Sequence, residues 1–311
     1  MKNQNFINKA KPYIAYFNIC ILWGTSNVVA KIALSGINTS VFACIRYIIT
    51  GLTLLSIAVL FRHEFPKGSH EWKKLITISV LMIFFTVGFI ALGNKYADSG
   101  MVTVVIATVP IFTTIIECFI VRSCSIGKNG IIGLIGGFAG IIIMVLYGTA
   151  SIKADFKGII FSLLGAISWS AGSVYSKNNA VEGSIIAQTA AEGLFSAFLF
   201  FLVGKLSGDF VLTNITLKAL IPVFYLAIFD SLIGFISYIY LLKIWKSSRV
   251  ATYAYVNPVV ALILGAAVLN EPITSGKVIG MIIIIASVFL IQRDKSNRIE
   301  EIVLSDKNTV A

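Results

Sequence analysis

The stretch Trp23-Gly24-Thr25-Ser26-Asn27-Val28-Val29-Ala30-Lys31 is answered 146 residues later by Trp169-Ser170-Ala171-Gly172-Ser173-Val174-Tyr175-Ser176-Lys177. In each, a tryptophan stands eight residues ahead of a lysine on an apolar segment. The correspondence extends outward in the same order. Gly88-Phe89-Ile90 returns as Gly234-Phe235-Ile236, and Ile131-Ile132-Gly133 returns as Val278-Ile279-Gly280. Lys95, Ser99 and Pro110 return at the same spacing as Lys243, Ser247 and Pro258. The offset stays between 146 and 148 residues, so the chain is written twice, over 15–146 and 161–291.

Apolar runs of about 20 residues, the length a helix needs to cross a bilayer, fall at 12–34, 39–61, 75–94, 99–121 and 129–147 in the first copy. In the second they fall at 158–177, 184–206, 218–242, 249–269 and 277–292. Five is odd, so a second copy with five spans enters the membrane from the side opposite to the first. The sequence therefore predicts an all-α integral membrane protein of ten transmembrane helices, arranged as two inverted five-helix repeats. Residues 1–147 form the first repeat, 148–157 a linker, 158–292 the second repeat and 293–311 a polar cytoplasmic tail. Transmembrane strands would alternate apolar and polar residues. Runs such as Ile282-Ile283-Ile284-Ile285 do not.

Bulk composition agrees. Of 311 residues, 57% are hydrophobic and 13% charged, with mean hydropathy +0.91. A soluble protein carries about 25% charged residues. One water-soluble core has no room for so much apolar surface, and the fitting solvent is a lipid bilayer. The net charge of +11 does not point to nucleic acid. With the N-terminus placed inside, 17 Lys and Arg face inward and 7 face outward, and Arg46 lies within a span. That asymmetry is the positive-inside rule, and it predicts a multi-pass protein of the cell membrane with both termini cytoplasmic. The basic start and apolar run at the N-terminus lack a small-residue cleavage site, so they read as an uncleaved first span. Cys20, Cys44, Cys118 and Cys124 form no CxxC pair, so neither a disulfide framework nor a zinc site is expected.

Several of these landmarks resemble the EamA-type branch of the drug/metabolite transporter superfamily. They are Leu22-Trp23-Gly24-Thr25-Ser26-Asn27 through Lys31, Arg46-Tyr47, Ala107-Thr108-Val109-Pro110-Ile111-Phe112, Val256-Asn257-Pro258-Val259 and Asn270-Glu271-Pro272. The resemblance covers about residues 15–292. It implies ten helices, both termini inside and a central cavity between the copies. Family members typically close the fourth and ninth helices with Gly-Glu-Arg or Gly-Glu-Pro. Here the ninth keeps Glu271, whereas the fourth has Arg122-Ser123 and lacks the carboxylate. Substrates in the family range over amino acids, other metabolites and drugs.

Ionisable residues deep in spans are costly and mark function by default. Asp230 is midway along the eighth span, about 18 Å from either end at a rise of about 1.5 Å per residue. It can bind a cationic group, take up a coupled proton, or stay neutral against a neighbouring helix. Arg46 and Glu192 are equivalent positions at the 146-residue offset. Both are on the order of 10–12 Å deep, on opposite sides of the midplane. Three readings stay open: they hold the two ends of a zwitterion, they pair with each other, or they are satisfied separately. Glu117, near the inner end of the fourth span, reads as a snorkelling surface carboxylate. Pro110 and Pro258 occupy matched mid-helix positions and free the carbonyls of Ile106 and Ala254, as gating bends do. Trp23, Asn27, Trp169, Ser173, Tyr253 and Asn257 supply polar and aromatic groups for a central substrate site. Gly133, Gly136, Gly137 and Gly140, with Gly276 and Gly280, set small residues four apart. The spacing suits internal helix packing or a homodimer face.

The functional expectation is a secondary transporter, an exporter of small metabolites such as amino acids working by alternating access, with proton coupling through Asp230 or Glu192 left open. An intramembrane enzyme is disfavoured. No span contains a histidine, neither HExxH nor GxSxG occurs, and no cofactor or metal is implied. A channel would need a repeated filter or a ring of charges. A phosphate-bearing substrate is disfavoured, since Arg46 alone supplies deep positive charge.

Overall fold

The computed structural model describes residues 2–97, 102, 105–122, 126–147, 156–212, 215–269 and 274–294. Among the described residues the chain is helical, with no strand. The first five helices are α1 (Lys2–Leu34), α2 (Thr39–Leu60), α3 (Ser69–Tyr96), α4 (Val109–Ile120) and α5 (Lys128–Leu146). They are followed by α6 (Phe156–Asn178), α7 (Ile185–Ser207), α8 (Leu217–Ile244), α9 (Tyr253–Leu269) and α10 (Ser275–Gln292). A short helix, Ser247–Ala251, leads into α9.

Five helices (α2, α3, α6, α7 and α8) are long and apolar enough to cross a membrane, and α4, α5 and α10 supply shorter apolar segments. Large apolar side chains such as Ile135, Leu206, Phe229 and Ile282 are exposed on the outside of the bundle. Water would penalise such a surface; lipid does not. The interior carries the polar residues instead, among them Arg46, Thr189, Glu192 and Asp230.

Helix packing follows the repeat. α2 lies antiparallel to its equivalent α7: a Cβ on Gly51 would meet Leu194, and one on Gly204 would meet Ser40. α5 lies antiparallel to its equivalent α10, with Gly133 against Ser287 and Ile291, and Gly140 against Gly280 and Ile284. Gly137 faces Tyr255 of α9. The glycine stripe is thus used for packing within the chain. The first helix of each copy packs on the third helix of the other, through Trp23 against Gly234 and Ile90 against Gly165. It also packs on the fourth helix of the other: a Cβ on Gly24 would meet Val260 of α9, and Ser170 Oγ donates to the Val109 carbonyl at 3.2 Å. Contacts that return with the partners exchanged are the mark of a two-fold relation.

Gly51 shows what this packing demands. A Cβ there would lie 2.7 Å from the Leu194 Cγ and 3.0 Å from its backbone nitrogen. Gly51→Val should therefore push α2 off α7 and destabilise the protein by about 1–3 kcal/mol. The check is a fall in the melting temperature of the detergent-solubilised variant. An unchanged value would mean that the two helices are not tightly apposed.

Both third helices are widened at matched places. Ser79–Phe85 in α3 and Leu226–Gly234 in α8 are π-helical, and α4 has a third such segment at Ile116–Ile120. Each extra residue per turn re-aims the side chains beyond it, and such insertions cluster at functional sites. Nothing in the apolar pattern announces them.

Three expectations need correction. Pro110 is not mid-helix. The chain turns at Ala107 and Thr108, and Pro110 stands in the first turn of α4, where its missing N–H costs nothing. Pro258 does lie inside α9. Cys118 is disulfide-bonded, although no disulfide framework was expected. Glu117 is not a surface residue. It is 2% exposed, and its two oxygens accept the backbone N–H groups of Ser247 and Ser248, each at 3.0 Å. Ser99, most of the linker 148–157, Asn270-Glu271-Pro272 and the tail from 295 lie outside the described residues.

Candidate functional site

A cavity of about 150 Å³ lies at the centre of the bundle, between the two copies. At roughly 10–15 Å³ of such volume per water, it has room for on the order of ten waters or a small organic molecule. Its floor is aromatic. Trp23 of α1 and its repeat equivalent Trp169 of α6 meet edge to face, with centroids 5.2 Å apart at 83°. Tyr253 of α9 stands against Trp23 at 4.6 Å, and Tyr238 of α8 fills the corner beside both tryptophans at 5.2 and 5.0 Å. Gly234 is what lets Trp23 in: a Cβ there would lie 2.5 Å from the indole nitrogen.

One wall is charged. The guanidinium of Arg46 pairs with Asp230 through Nη2 and Oδ2, and its Nε donates to Ser231 Oγ at 2.6 Å. Ser26 Oγ donates to the other carboxylate oxygen of Asp230. Trp23 Nε1 donates to the Asp230 backbone carbonyl at 3.2 Å. That carbonyl lies in the π-helical part of α8, where the regular hydrogen-bond ladder is altered. Thr50 Oγ1 ties α2 to the same segment through the Ala227 carbonyl at 2.9 Å. Arg46 also lies over the Tyr47 ring, 5.3 Å from its centroid. Arg46 is 8% exposed and Asp230 7%, both on the cavity wall. A buried ion pair persists when its remaining polar atoms are bonded, and serines 26 and 231 do that here.

Of the residues singled out in the sequence, the structure brings Trp23, Arg46, Trp169, Asp230, Tyr253 and Asn257 to this one cavity. With its amide oriented to suit its neighbours, Asn257 donates to the carbonyls of Tyr253 at 3.1 Å and Cys20 at 3.2 Å. Ser173 stands behind the wall, accepting from Tyr238 Oη at 2.7 Å and donating to the Trp169 carbonyl at 2.6 Å. The Asn27 side chain lies outside the described residues. Glu192 does not meet Arg46. It sits on α7 between the cavity-lining residues Thr189 and Gly193, and its backbone carbonyl accepts from Ser79 Oγ at 2.8 Å. Sequence reading passed over Ser26, Thr50, Thr189 and Ser231. Small hydroxyl residues in apolar helices carry no signal until their neighbours are known.

Below the aromatic floor, bonded polar groups tie the helix ends together. Lys177 Nζ donates to the Trp245 carbonyl at 2.7 Å. Arg249 stacks on the Trp245 ring at 3.9 Å, and its Nε donates to Gln292 Oε1 at 2.5 Å. Gln292 Nε2 reaches Thr252 Oγ1 at 3.1 Å. Glu117 closes the same end from α4.

A polytopic helical bundle with a polar and aromatic cavity between two related halves is an arrangement used by membrane transporters. The chain belongs to the EamA-like transporter family, whose profile matches residues 11–146 and again 156–293. It is similar to the "Uncharacterized inner membrane transporter YedA" of Escherichia coli K12, with 29% identity over 283 residues, covering 90% of each chain. The "Uncharacterized transporter YvbV" of Bacillus subtilis is 23% identical over 291 residues, covering 93% of this chain and 94% of its own. An uncharacterized transporter of Archaeoglobus fulgidus is 25% identical over 290 residues, covering 92% of this chain and 100% of its own. One solved crystal structure, 16% identical, superposes with a TM-score of 0.76 over 90% of this chain and 96% of that one, a likeness of fold.

Proposed function

We propose that the protein is a ten-span secondary transporter of the cell membrane that exports small zwitterionic metabolites such as amino acids by alternating access. The observation that carries this reading is the composition of the cavity. It is built from both copies, and Arg46 and Asp230 present opposite charges side by side above the Trp23–Trp169–Tyr253 surface. A ligand carboxylate is attracted to the guanidinium and a ligand ammonium to the carboxylate. An apolar or aromatic side chain rests on the rings, and Trp23 and Tyr253 can also attract a cation through their faces. The antiparallel packing of α2 on α7 and of α5 on α10 supports two oppositely oriented repeats. In that architecture the two halves rock about a fixed midplane site.

Counterflow tests the function. Proteoliposomes are loaded with unlabelled amino acids, nucleosides or cationic drugs and offered the labelled compound. Saturable, trans-stimulated uptake of an amino acid is expected. Rates equal to protein-free liposomes for every compound would defeat the reading. Topology has its own test. Single cysteines in the 62–74 loop should be labelled only from the cytoplasm, and those in the 148–157 linker only from outside. Labelling of both from one side would break the inverted arrangement.

A further inference from the structure

Arg46 and Glu192 occupy equivalent positions in the two copies, but their surroundings differ. Arg46 finds its counter-charge on α8 at Asp230. The residue equivalent to Asp230 at the 146-residue offset is Phe84 of α3, so the facing helix offers Glu192 a phenyl ring's position where a charge would be needed. From Leu75 to Ile90, α3 carries no ionisable residue at all. On α2, Arg46 is committed to Asp230. On α8, Lys243 forms no ion pair with Glu192 among the described residues.

Glu192 is 3% exposed, and its Oε2 has no hydrogen-bond partner. One turn earlier on the same face of α7, Thr189 Oγ1 is also buried and unpartnered, and Thr189 lines the central cavity. An ionised carboxylate without partners in a membrane interior is far costlier than the neutral acid. The neutral acid also carries a donor hydrogen, which a hydroxyl neighbour or a cavity water can accept. We propose that Glu192 is a proton-binding site, holding one proton as a carboxylic acid at neutral pH beside the central cavity. Asp230, held by Arg46 and Ser26, is the fixed charge, and Glu192 is the exchangeable one. Release of the proton requires a state in which Glu192 gains water or the Lys243 ammonium. The use of that proton to drive flux rests on the transporter reading above, but the existence of the site does not.

Infrared spectroscopy of the purified protein in lipid nanodiscs, titrated with acid and base and exchanged into D2O, tests the site without any substrate. A carbonyl stretch from a buried carboxylic acid is expected at pH 7. It should be lost in Glu192→Gln, which matches the neutral acid in shape, and displaced but retained in Glu192→Asp. Absence of the band from the wild-type protein at pH 7, or its persistence in Glu192→Gln, would overturn the assignment. So would a thermal stabilisation by sodium chloride over choline chloride that Glu192→Gln abolishes, because that would make the site one for a metal cation. Each of these three failures leaves the counterflow result standing on its own.

Discussion

Asp230→Asn is expected to reduce counterflow by at least tenfold and to cost about 3–5 kcal/mol of stability. The second figure separates this site from an ordinary polar contact. Asparagine keeps the size of the side chain and can still accept from Ser26, but it leaves the guanidinium of Arg46 buried without a counter-charge. An unpaired buried charge is among the largest single penalties a folded chain can carry. The companion double variant, Arg46→Gln with Asp230→Asn, removes both charges. It should recover much of the lost stability while remaining inactive, since a neutral pair attracts neither end of a zwitterion. Melting temperature and flux measured across the full cycle separate the two effects. Wild-type flux in Asp230→Asn would remove the pair from the transport site. A double variant no more stable than the single one would mean that the two residues do not act together.

Glu117→Ala should have the second-largest effect. Its carboxylate accepts two backbone N–H groups at the start of the helix Ser247–Ala251, each at 3.0 Å. Hydrogen bonds to a charged group are each worth about 1.5–3 kcal/mol, and a carboxylate at a helix start also meets the positive end of the dipole. The variant should lose about 3–5 kcal/mol of stability, near the sum of those two bonds. The end of the bundle closed by Trp245, Arg249 and Gln292 should open more readily. A single cysteine at Ser248 would then react with a membrane-impermeant maleimide faster than in the parent background. Unchanged reactivity together with an unchanged melting temperature would show that Glu117 closes nothing.

The sequence announced the helical plan because the needed information is local. An apolar run of membrane length is a helix whatever surrounds it, and repeated landmarks such as Trp23 and Trp169 reveal the duplication by spacing alone. The cavity's residue types were legible for the same reason, since charge and aromaticity inside apolar spans stand out. Partnerships were not. The repeat suggested matching Arg46 with Glu192, yet Arg46 closes on Asp230, 184 positions away. The residue equivalent to Asp230 in the other copy is Phe84, a difference written in the sequence, but only the three-dimensional packing shows that Asp230 is the residue Arg46 faces. Glu117 was misread because its partners are backbone N–H groups, which every residue but proline carries. The π-helical segments of α3 and α8 were invisible because one extra residue in a turn leaves an all-apolar pattern unchanged.

If the two copies were identical, exchanging their conformations would turn one end state into the other. Outward and inward forms would then have equal free energy and equal occupancy. Arg46–Asp230 has no mirror counterpart at Glu192–Phe84, so that degeneracy is lifted. Every 1.4 kcal/mol of imbalance between the forms shifts the resting ratio by a factor of about ten. In the alternating-access cycle proposed above, the mismatch at this pair biases which form the chain rests in.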